Sequence, residues 1–194
     1  MIEEIRKKYF PMQLPDGVEA RSVTSEVATD VMRLLWHSIF PDDKNIKYFR
    51  TVKERMAKQE ALWKLHNTIH HERIVFYNKD KKPIGWIFGD MEDYMTFYLR
   101  LFGLLPEYRR KKIFSTFQSA FFEYLKEVGY ERVAAHHHIN NRAVLISQLK
   151  AGYGIVGFEV DERFGLLAKV LHFLHEDRRR GYEKVFSLPR DPIC

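Results

Sequence analysis

The stretch that decides the fold reads Leu104-Leu105-Pro106-Glu107-Tyr108-Arg109-Arg110-Lys111-Lys112-Ile113-Phe114. An apolar segment ends here, four consecutive cationic residues follow, and a long apolar segment begins. This order predicts a strand, a basic turn and the start of a helix. Because a helix N-terminus presents unpaired backbone N–H groups and a partial positive charge, the turn is a candidate site for a pyrophosphate. Taken alone, the segment also fits a solvated basic turn.

The segments on either side of this turn have clear periods. On its C-terminal side, apolar residues recur three or four positions apart until Gly129, which predicts a helix that ends there. On its N-terminal side, Tyr94 to Leu105 predicts a long strand with alternating faces. We expect this strand to tolerate a bulge at Gly103. One predicted face carries Phe97, Leu99 and Leu101, and the other carries Thr96, Tyr98, Arg100 and Phe102.

Upstream of this strand, the sequence predicts a strand, two helices and a hairpin. Val18 to Val23 is the first strand, and a helix capped by Thr24 or Ser25 follows it and ends at Pro41. A second helical stretch begins at Asp42 or Asp43 and extends through Trp63. The hairpin then comprises Ile74 to Tyr77, a polar turn at Asn78 to Lys82, and Ile84 to Met91.

Downstream of the long helix, strands and one helix alternate. The predicted elements are a strand at Arg132 to His138, a helix from Asn140 through Leu149 ended by Gly152, and strands at Tyr153 to Val160 and Phe164 to His172. Arg178 to Arg180 is predicted to be a solvated, charged turn before a final strand. This mixed order predicts an α/β fold, with helices on both faces of a central sheet.

Taken together, these pieces resemble the GNAT superfamily of N-acetyltransferases, whose members read much like P-E-Y-R-x-K-G-x-G at the basic turn. The long helix, the strand Val133 to His138, an Asn-led helix and Gly152-Tyr153 follow in the family's order, and the resemblance covers roughly residues 18 to 175. The residues that match the motif itself are Pro106, Glu107, Tyr108, Arg109 and Lys111.

The resemblance implies the fold and the reaction. The expected architecture is one GNAT-type domain over residues 1–194, with 1–17 as a lead-in and a twisted mixed sheet of about seven strands. The expected reaction moves an acetyl or other acyl group from acetyl-CoA, a cosubstrate, to a primary amine of a small molecule or peptide by direct attack, without a metal. A homodimer is compatible with this function.

The resemblance also implies a cofactor site. The backbone N–H groups from Arg110 to Ser115 would cradle the pyrophosphate of coenzyme A, and Arg109 would support the turn. The end of the strand Tyr94 to Leu105, around Phe102 and Leu104, would pair with the pantetheine arm and polarise the thioester carbonyl. The implied cofactor-binding residues are Phe102, Leu104, Arg109, Arg110, Lys111, Lys112, Ile113, Phe114, Ser115 and Asn141.

The chain departs from the family pattern at two places. Lys112 and Phe114 replace the glycines of the turn, where glycine permits close approach to a phosphate. In the Asn-led helix, Ser147 and Gln148 lie nearest to the position of a tyrosine that protonates the leaving thiolate in many family members. The candidates for proton transfer are therefore Tyr98 and Tyr153 as acids and His136 as a base.

Other polar groups admit more than one interpretation. His136 to His138 would suit a metal if carboxylates or cysteines lay at ligand spacing, but none does, and surface or packed histidines are the commoner outcome. The group Asp90, Glu92 and Asp93 is interpreted as turn residues, with a general base as the alternative.

Composition sets broader limits. Hydrophobic residues make up 45% of the 194 residues and charged residues 30%, which is typical of a packed globular protein. The net charge of +6 suits an anionic partner, but no nucleic-acid-binding motif accompanies it. Cys194 is the only cysteine, and neither a signal segment nor a long apolar run is present, so we expect a cytoplasmic protein without membrane contact.

Two alternatives to an enzyme remain open at this stage. The first is a GNAT domain that has lost catalysis and binds acyl-CoA or a partner, which the altered turn and the missing tyrosine favour. The second is a basic protein that binds nucleic acid, whose affinity would fall steeply with salt.

Overall fold

A computed structural model describes residues 1–41 and 53–186. The strands are β1 Met12–Leu14, β2 Val18–Ser22, β3 His71–Tyr77, β4 Pro83–Met91, β5 Thr96–Leu104, β6 Arg132–His138, β7 Gly154–Asp161 and β8 Gly165–Phe173. The helices are α1 Ile2–Tyr9, α2 Ser25–Ile39, α3 Lys53–His66, α4 Ile113–Val128, α5 Arg142–Lys150 and α6 Glu176–Phe186. The strands form one open sheet in the order β1-β2-β3-β4-β5-β6-β8-β7, in which only β5 and β6 pair in parallel.

Helices cover both faces of this sheet, which confirms the predicted α/β architecture. On one face, Trp36 of α2 stacks on Trp86 of β4, with ring centroids 6.2 Å apart. On the other face, Phe121 of α4 meets Phe97 of β5 edge to face at 5.6 Å. The sheet has eight strands rather than about seven, because the short segment β1 adds an edge strand next to β2.

The caps of the two long helices follow the sequence. Thr24 accepts a hydrogen bond from the backbone N–H of Val27 at the start of α2. At the end of α4, Gly129 has a φ of +114°, a conformation that favours glycine. No helix among the described residues is both long and apolar enough to cross a membrane.

Several predicted boundaries were wrong. Residues 2–9, taken as part of a lead-in, form α1, and the Arg178 to Arg180 run lies inside α6 rather than in a turn. Asn141, not Asn140, caps α5, and its side chain accepts from the N–H of Val144. The predicted start of the helix that contains Trp63 falls in residues 42–52, outside the described residues.

Helix α1 is held to the sheet by a buried ion pair. Glu72 of β3 is fully buried, and its carboxylate accepts a hydrogen bond from Arg6 at 2.9 Å. The hydroxyl of Tyr124 in α4 also donates to this carboxylate, and His70 lies 2.8 Å from it. Because a buried carboxylate needs compensating partners, this ion pair fixes the N-terminal helix against the sheet.

Strand β5 carries its bulge at Arg100, three residues before the predicted position. Phe88 pairs with Leu101 and Gly89 with Leu99, so that Arg100 has no partner on β4. A bulge of one residue reverses the side-chain alternation of a strand.

The prediction that Leu101 shares a face with Phe97 and that Phe102 shares a face with Tyr98 was therefore wrong. Phe97 packs under α4 before the bulge, and Phe102 packs against Phe114 of α4 after it. Gly103 pairs in register with Trp86, and a side chain there would meet Ile39. The reversed alternation places the ring of Phe102 beneath the first turn of α4.

Strands β5 and β6 separate after three pairs. Thr96, Phe97 and Tyr98 pair with β6, and from Leu99 onward β5 has no β6 partner among the described residues. The strands thus part toward the end of β5 that leads into the basic turn. This gap and the turn lie next to each other and together form the candidate site.

Candidate active site

The basic turn adopts the backbone conformation that glycine normally supplies. Arg110 has a φ of +63° and Lys112 a φ of +60°, both in the left-handed region. Lys112 occupies the place where the family pattern has its first glycine. A side chain in this conformation costs about 1–2 kcal/mol, since Cβ crowds the following carbonyl oxygen. The turn therefore keeps its shape against the intrinsic preference of its residues.

The start of α4 presents backbone amides that the helix itself leaves unpaired. Lys112 is the N-cap and its side chain makes no capping hydrogen bond. The N–H of Thr116 donates to the Lys112 carbonyl at 3.0 Å and closes the first turn. The N–H groups of Ile113, Phe114 and Ser115 precede that bond, so they have no carbonyl partner within the helix. This arrangement suits an anion.

The four cationic residues of the turn have different partners. Arg109 donates to the carbonyl oxygens of Leu104 at 2.9 Å and Ile39 at 3.1 Å, so it braces the end of β5 against α2. Lys111 pairs with Asp16 at 3.0 Å and lies over the Tyr108 ring.

The remaining two cations are available to an anion. Arg110 and Lys112 are exposed, and neither forms an ion pair with any described residue. Because both flank the amides at the start of α4, the local charge and the helix dipole act in the same direction.

The two bulky residues that replace glycine leave the turn open. Phe114 stacks on Phe102 of β5 with centroids 3.9 Å apart, and it packs against the core. Lys112 is exposed and Ile113 is buried, with 1% of its surface accessible. None of these side chains needs to cover the amide groups. The residues present therefore fit a diphosphate at this helix N-terminus.

Tyr98 and His136 meet where β5 and β6 stop pairing. The Tyr98 hydroxyl oxygen lies 3.0 Å from Nδ1 of His136, and the imidazole tautomer decides which group donates. Nε2 of His136 is buried and has no hydrogen-bond partner among the described residues, although a carboxylate oxygen of Glu159 lies 3.6 Å away. A phenol, an imidazole and a carboxylate therefore lie close together beside the gap.

The surroundings of Tyr98 keep its phenol protonated. Burial raises the pKa of Tyr98, and the charge of Arg100 lowers it in part. The carboxylates of Glu92, Glu159 and Asp161 raise the same pKa further. At neutral pH the hydroxyl is thus a proton donor rather than a phenolate.

Tyr153 lies in the core and not beside Tyr98. Tyr153 is 96% buried beneath α4, next to Phe122 and His172, and within residues 1–41 and 53–186 its hydroxyl has no hydrogen-bond partner. Burial raises the pKa of Tyr153, and the neighbouring Gln118 lowers it only in part. This location does not favour Tyr153 as a proton donor to a ligand in the gap.

Gln148, near the family's tyrosine position, is also held in the core. It is buried and accepts a hydrogen bond from the amide of Gln118 at 2.9 Å. An amide that is already paired and has no acidic proton cannot take over the role of a tyrosine.

The remaining polar candidates have structural surroundings. Burial lowers the pKa of His137 to about 4, with the charge of His136 as a second cause. Within residues 1–41 and 53–186, no three His, Cys, Asp or Glu side chains form a group that could hold a metal.

The three carboxylates interpreted as turn residues differ. Asp93 is one, since it accepts from the N–H of Met95 and from Thr96. That interpretation was wrong for Asp90, which is buried inside β4.

Glu159 beside His136 was missed from the sequence. Its strand, β7, lies three places from β5 in the sheet and 55 or more residues later in the chain, so no local pattern connects them. The contact between Asp90 and Arg100 had a signal, because an arginine in an apolar strand needs a partner when that strand is buried.

Comparisons with known proteins point to one family of enzymes. The sequence model described as the Acetyltransferase (GNAT) family matches residues 31–146, more than half of the chain. No curated protein matches the chain by sequence.

One similar solved structure is the spermidine/spermine N-acetyltransferase SpeG from Vibrio cholerae in complex with manganese ions. Its TM-score is 0.58 at 14% sequence identity, and the match covers 84% of this chain and 96% of that chain. The same enzyme with CoA and spermine has a TM-score of 0.57 at 13% identity, covering 81% and 95%. Ard1 from Thermoplasma volcanium has a TM-score of 0.58 at 14% identity, covering 82% and 99%. At these identities the likeness is one of fold.

Proposed function

Because the chain belongs to the GNAT family of acetyltransferases, we propose that it transfers an acetyl group from acetyl-CoA to a primary amine of a small molecule or peptide. The observation that carries this proposal is the basic turn, in which Lys112 takes the glycine-like φ of +60° and leaves the first amides of α4 open. A turn with no ligand role would have little reason to hold two cationic residues in a strained conformation.

The turn binds the diphosphate of the cosubstrate. The N–H groups of Ile113, Phe114 and Ser115 donate to it, and the exposed Arg110 and Lys112 add positive charge. Arg109 and Lys111 hold the turn through Leu104, Ile39 and Asp16 rather than binding the anion directly. In this proposal Asn141 keeps its place as the cap of α5.

The open edge of β5 positions the acyl end. From Leu99 to Leu104 the strand has no β6 partner among the described residues, so its outward backbone groups, apart from the Leu104 carbonyl that accepts from Arg109, can pair with an extended ligand. Such pairing works like the addition of a strand to a sheet edge. The acyl-CoA supplies an activated thioester carbonyl, and backbone N–H groups near the bulge of β5 stabilise the negative charge that develops on its oxygen.

Tyr98 and His136 carry the protons. The amine first gives its ammonium proton to solvent; the uncharged nitrogen then attacks the carbonyl carbon, the C–N bond forms and the C–S bond breaks. Nε2 of His136 accepts the proton that the amine loses, and Glu159 stabilises the resulting imidazolium. Nδ1–H of His136 donates to Tyr98, whose own hydroxyl proton goes to the leaving sulfur. No covalent intermediate with the protein is involved.

The acceptor is proposed to be a cationic amine. The carboxylates of Glu92, Glu159 and Asp161 all act on Tyr98; Lys169 pairs with Glu92, and Glu159 and Asp161 supply negative charge at the side of the gap opposite α4. Such a potential attracts a cationic substrate and raises the rate of encounter.

Amine-dependent release of the CoA thiol tests the function. The purified chain is incubated with acetyl-CoA and a panel of amines that includes spermidine, an aminoglycoside and a peptide with a free N-terminus. The proposal expects thiol release that depends on one class of amine and saturates with acetyl-CoA below about 1 mM. Saturable acetyl-CoA binding without turnover across the panel would instead indicate a binding domain that has lost catalysis.

A further inference from the structure

The bulge residue of β5 is held by a buried carboxylate on the neighbouring strand. Nε of Arg100 donates to Oδ2 of Asp90. Asp90 is almost completely buried, whereas the side chain of Arg100 is 51% exposed. The guanidinium of this long, half-exposed side chain is therefore held in place by a buried carboxylate.

Asp90 is itself fixed by two residues of β3. Nδ1 of His71 lies 2.5 Å from Oδ1 of Asp90, and the guanidinium of Arg73 lies 2.8 Å from the same oxygen. Arg73 also donates to the carbonyl of Gly89 at 2.9 Å, where the register of β4 and β5 shifts. Although burial alone raises the pKa of Asp90, its bonds to Arg100 and His71 and the charge of Arg73 hold that pKa at about 2.

Arg100 connects this anchor to the proton-carrying pair. Its guanidinium lies over the ring of Tyr98 at 5.2 Å from the centroid, a cation–π contact. Tyr98 in turn contacts His136. A continuous set of contacts therefore runs across the sheet from β3 to β6, on the face opposite α4.

We propose that Asp90 is a positioning residue for acyl transfer: by holding Arg100, it fixes the bulge of β5 whose backbone N–H groups polarise the thioester carbonyl, and it keeps Tyr98 against His136. This inference rests on the proposed function. Two geometric facts carry it. The unpaired residue of β5 is the residue that Asp90 binds, and the bulge lies at the first positions beyond the last β5–β6 pair.

The physical reason is that donors stabilise a transition state only when they are already in place. A backbone N–H that must reorient during the reaction contributes much less to stabilising the transition state. A bulge interrupts the hydrogen bonds of the ladder and is therefore the point of β5 with the weakest local restraint. An ion pair to a buried and fully paired carboxylate restores that restraint.

The test uses Asp90→Asn and Arg100→Gln, with Arg100→Lys as the conservative variant. Both neutral variants are expected to lower kcat by at least about tenfold while KM for acetyl-CoA changes little, since a displacement of catalytic groups costs up to about 100-fold. Arg100→Lys keeps the charge and is expected to recover part of kcat. The double variant is expected to lose no more than either single variant, because both changes break the same contact.

A spectroscopic readout separates positioning from stability. With acetyl-CoA labelled at the thioester carbonyl with ¹³C, isotope-edited infrared spectra report the carbonyl stretching frequency in the bound state. The wild type is expected to lower this frequency relative to free acetyl-CoA, and Arg100→Gln is expected to return it toward the free value. Because Arg100 is half exposed, that variant remains informative if Asp90→Asn does not fold.

Glu72→Gln is the matched control. It neutralises another buried, ion-paired carboxylate on an adjoining strand, but Glu72 contacts Arg6, His70 and Tyr124 rather than the bulge. It is expected to lower stability without changing the carbonyl frequency. An unchanged frequency and kcat in Arg100→Gln would overturn this inference alone. Failure of the wild type to bind acetyl-CoA would overturn the proposed function and, with it, the inference.

Discussion

Tyr98 and His136 lie 3.0 Å apart, hydroxyl oxygen to Nδ1, at the last position where β5 and β6 pair. Two residues that are 38 positions apart in the chain are thus held in contact at the point where the sheet opens. This contact is the basis for proposing proton transfer by the pair, because it combines a protonated phenol with an imidazole whose Nε2 makes no hydrogen bond to any residue that the structure describes.

Tyr98→Phe is predicted to lower kcat by about 100-fold or more, since loss of a positioned acid costs about 10²–10⁴-fold. The affinity for acetyl-CoA is expected to stay the same, because the ring and its contact with Arg100 remain. Steady-state kinetics and calorimetry measure the two quantities. Tyr94→Phe serves as a control, since Tyr94 is 80% exposed and is expected to leave both unchanged. Wild-type kcat in Tyr98→Phe would refute the assigned role of the hydroxyl.

The left-handed backbone of Lys112 leads to a stability prediction. Lys112→Ala and Lys112→Gly both remove the charge, but only glycine adopts a φ of +60° without strain. The free energy of unfolding is expected to be about 1 kcal/mol higher for the glycine variant than for the alanine variant. Urea denaturation of the two proteins measures the difference. An alanine variant as stable as the glycine variant would show that the turn relaxes out of the left-handed region.

Gly103 is predicted to tolerate no side chain. A Cβ at this position would lie 2.8 Å from Cγ2 of Ile39 and 3.4 Å from the Trp86 ring, so Gly103→Ala forces α2 away from β5. A loss of about 1–3 kcal/mol is expected, as for other overpacked cores. Thermal unfolding measures it, with Gly181→Ala as the control. Gly181 lies in α6 with open space around its Cβ, and alanine there is expected to be neutral or slightly stabilising.

The pKa of Asp90 predicts part of the acid response of the fold. Its folded value of about 2 lies below its ordinary value of 3.8, so ionised Asp90 stabilises the fold fully above about pH 4. That stabilisation is lost as the pH falls toward 2. The difference in unfolding free energy between the wild type and Asp90→Asn is therefore expected to shrink over this interval. A difference that stays constant from pH 5 to 2 would contradict the assigned ion pairs.

The elements with strong local signals were predictable from the sequence. Helix α4 was placed correctly because its apolar spacing is regular and Gly129 ends it. The basic turn and its place between β5 and α4 were also predictable, since the strand, the turn and the helix are contiguous in the sequence. Helix α6 was missed although its charges held a signal: Arg180 pairs with Glu176 and Arg179 with Glu183 at helical spacing.

The parts of the site that depend on register were not predictable. One unpaired residue, Arg100, reverses every face assignment after it, and nothing in the alternation of an apolar strand identifies which residue is extra. The contact between Tyr98 and His136 depends on the parallel register of β5 and β6, two strands that α4 separates in the sequence. Local patterns carry no information on such pairings.

The central claim is that the open amides at the start of α4 receive the diphosphate of acetyl-CoA. Titration calorimetry of the wild type with acetyl-CoA, CoA and inorganic pyrophosphate tests it most directly, with Arg110→Ser as the matched variant. The account predicts saturable binding of acetyl-CoA and CoA below about 1 mM, weaker binding of pyrophosphate, and reduced affinity in Arg110→Ser. No binding of acetyl-CoA at millimolar concentration, or binding no tighter than that of pyrophosphate, would contradict it.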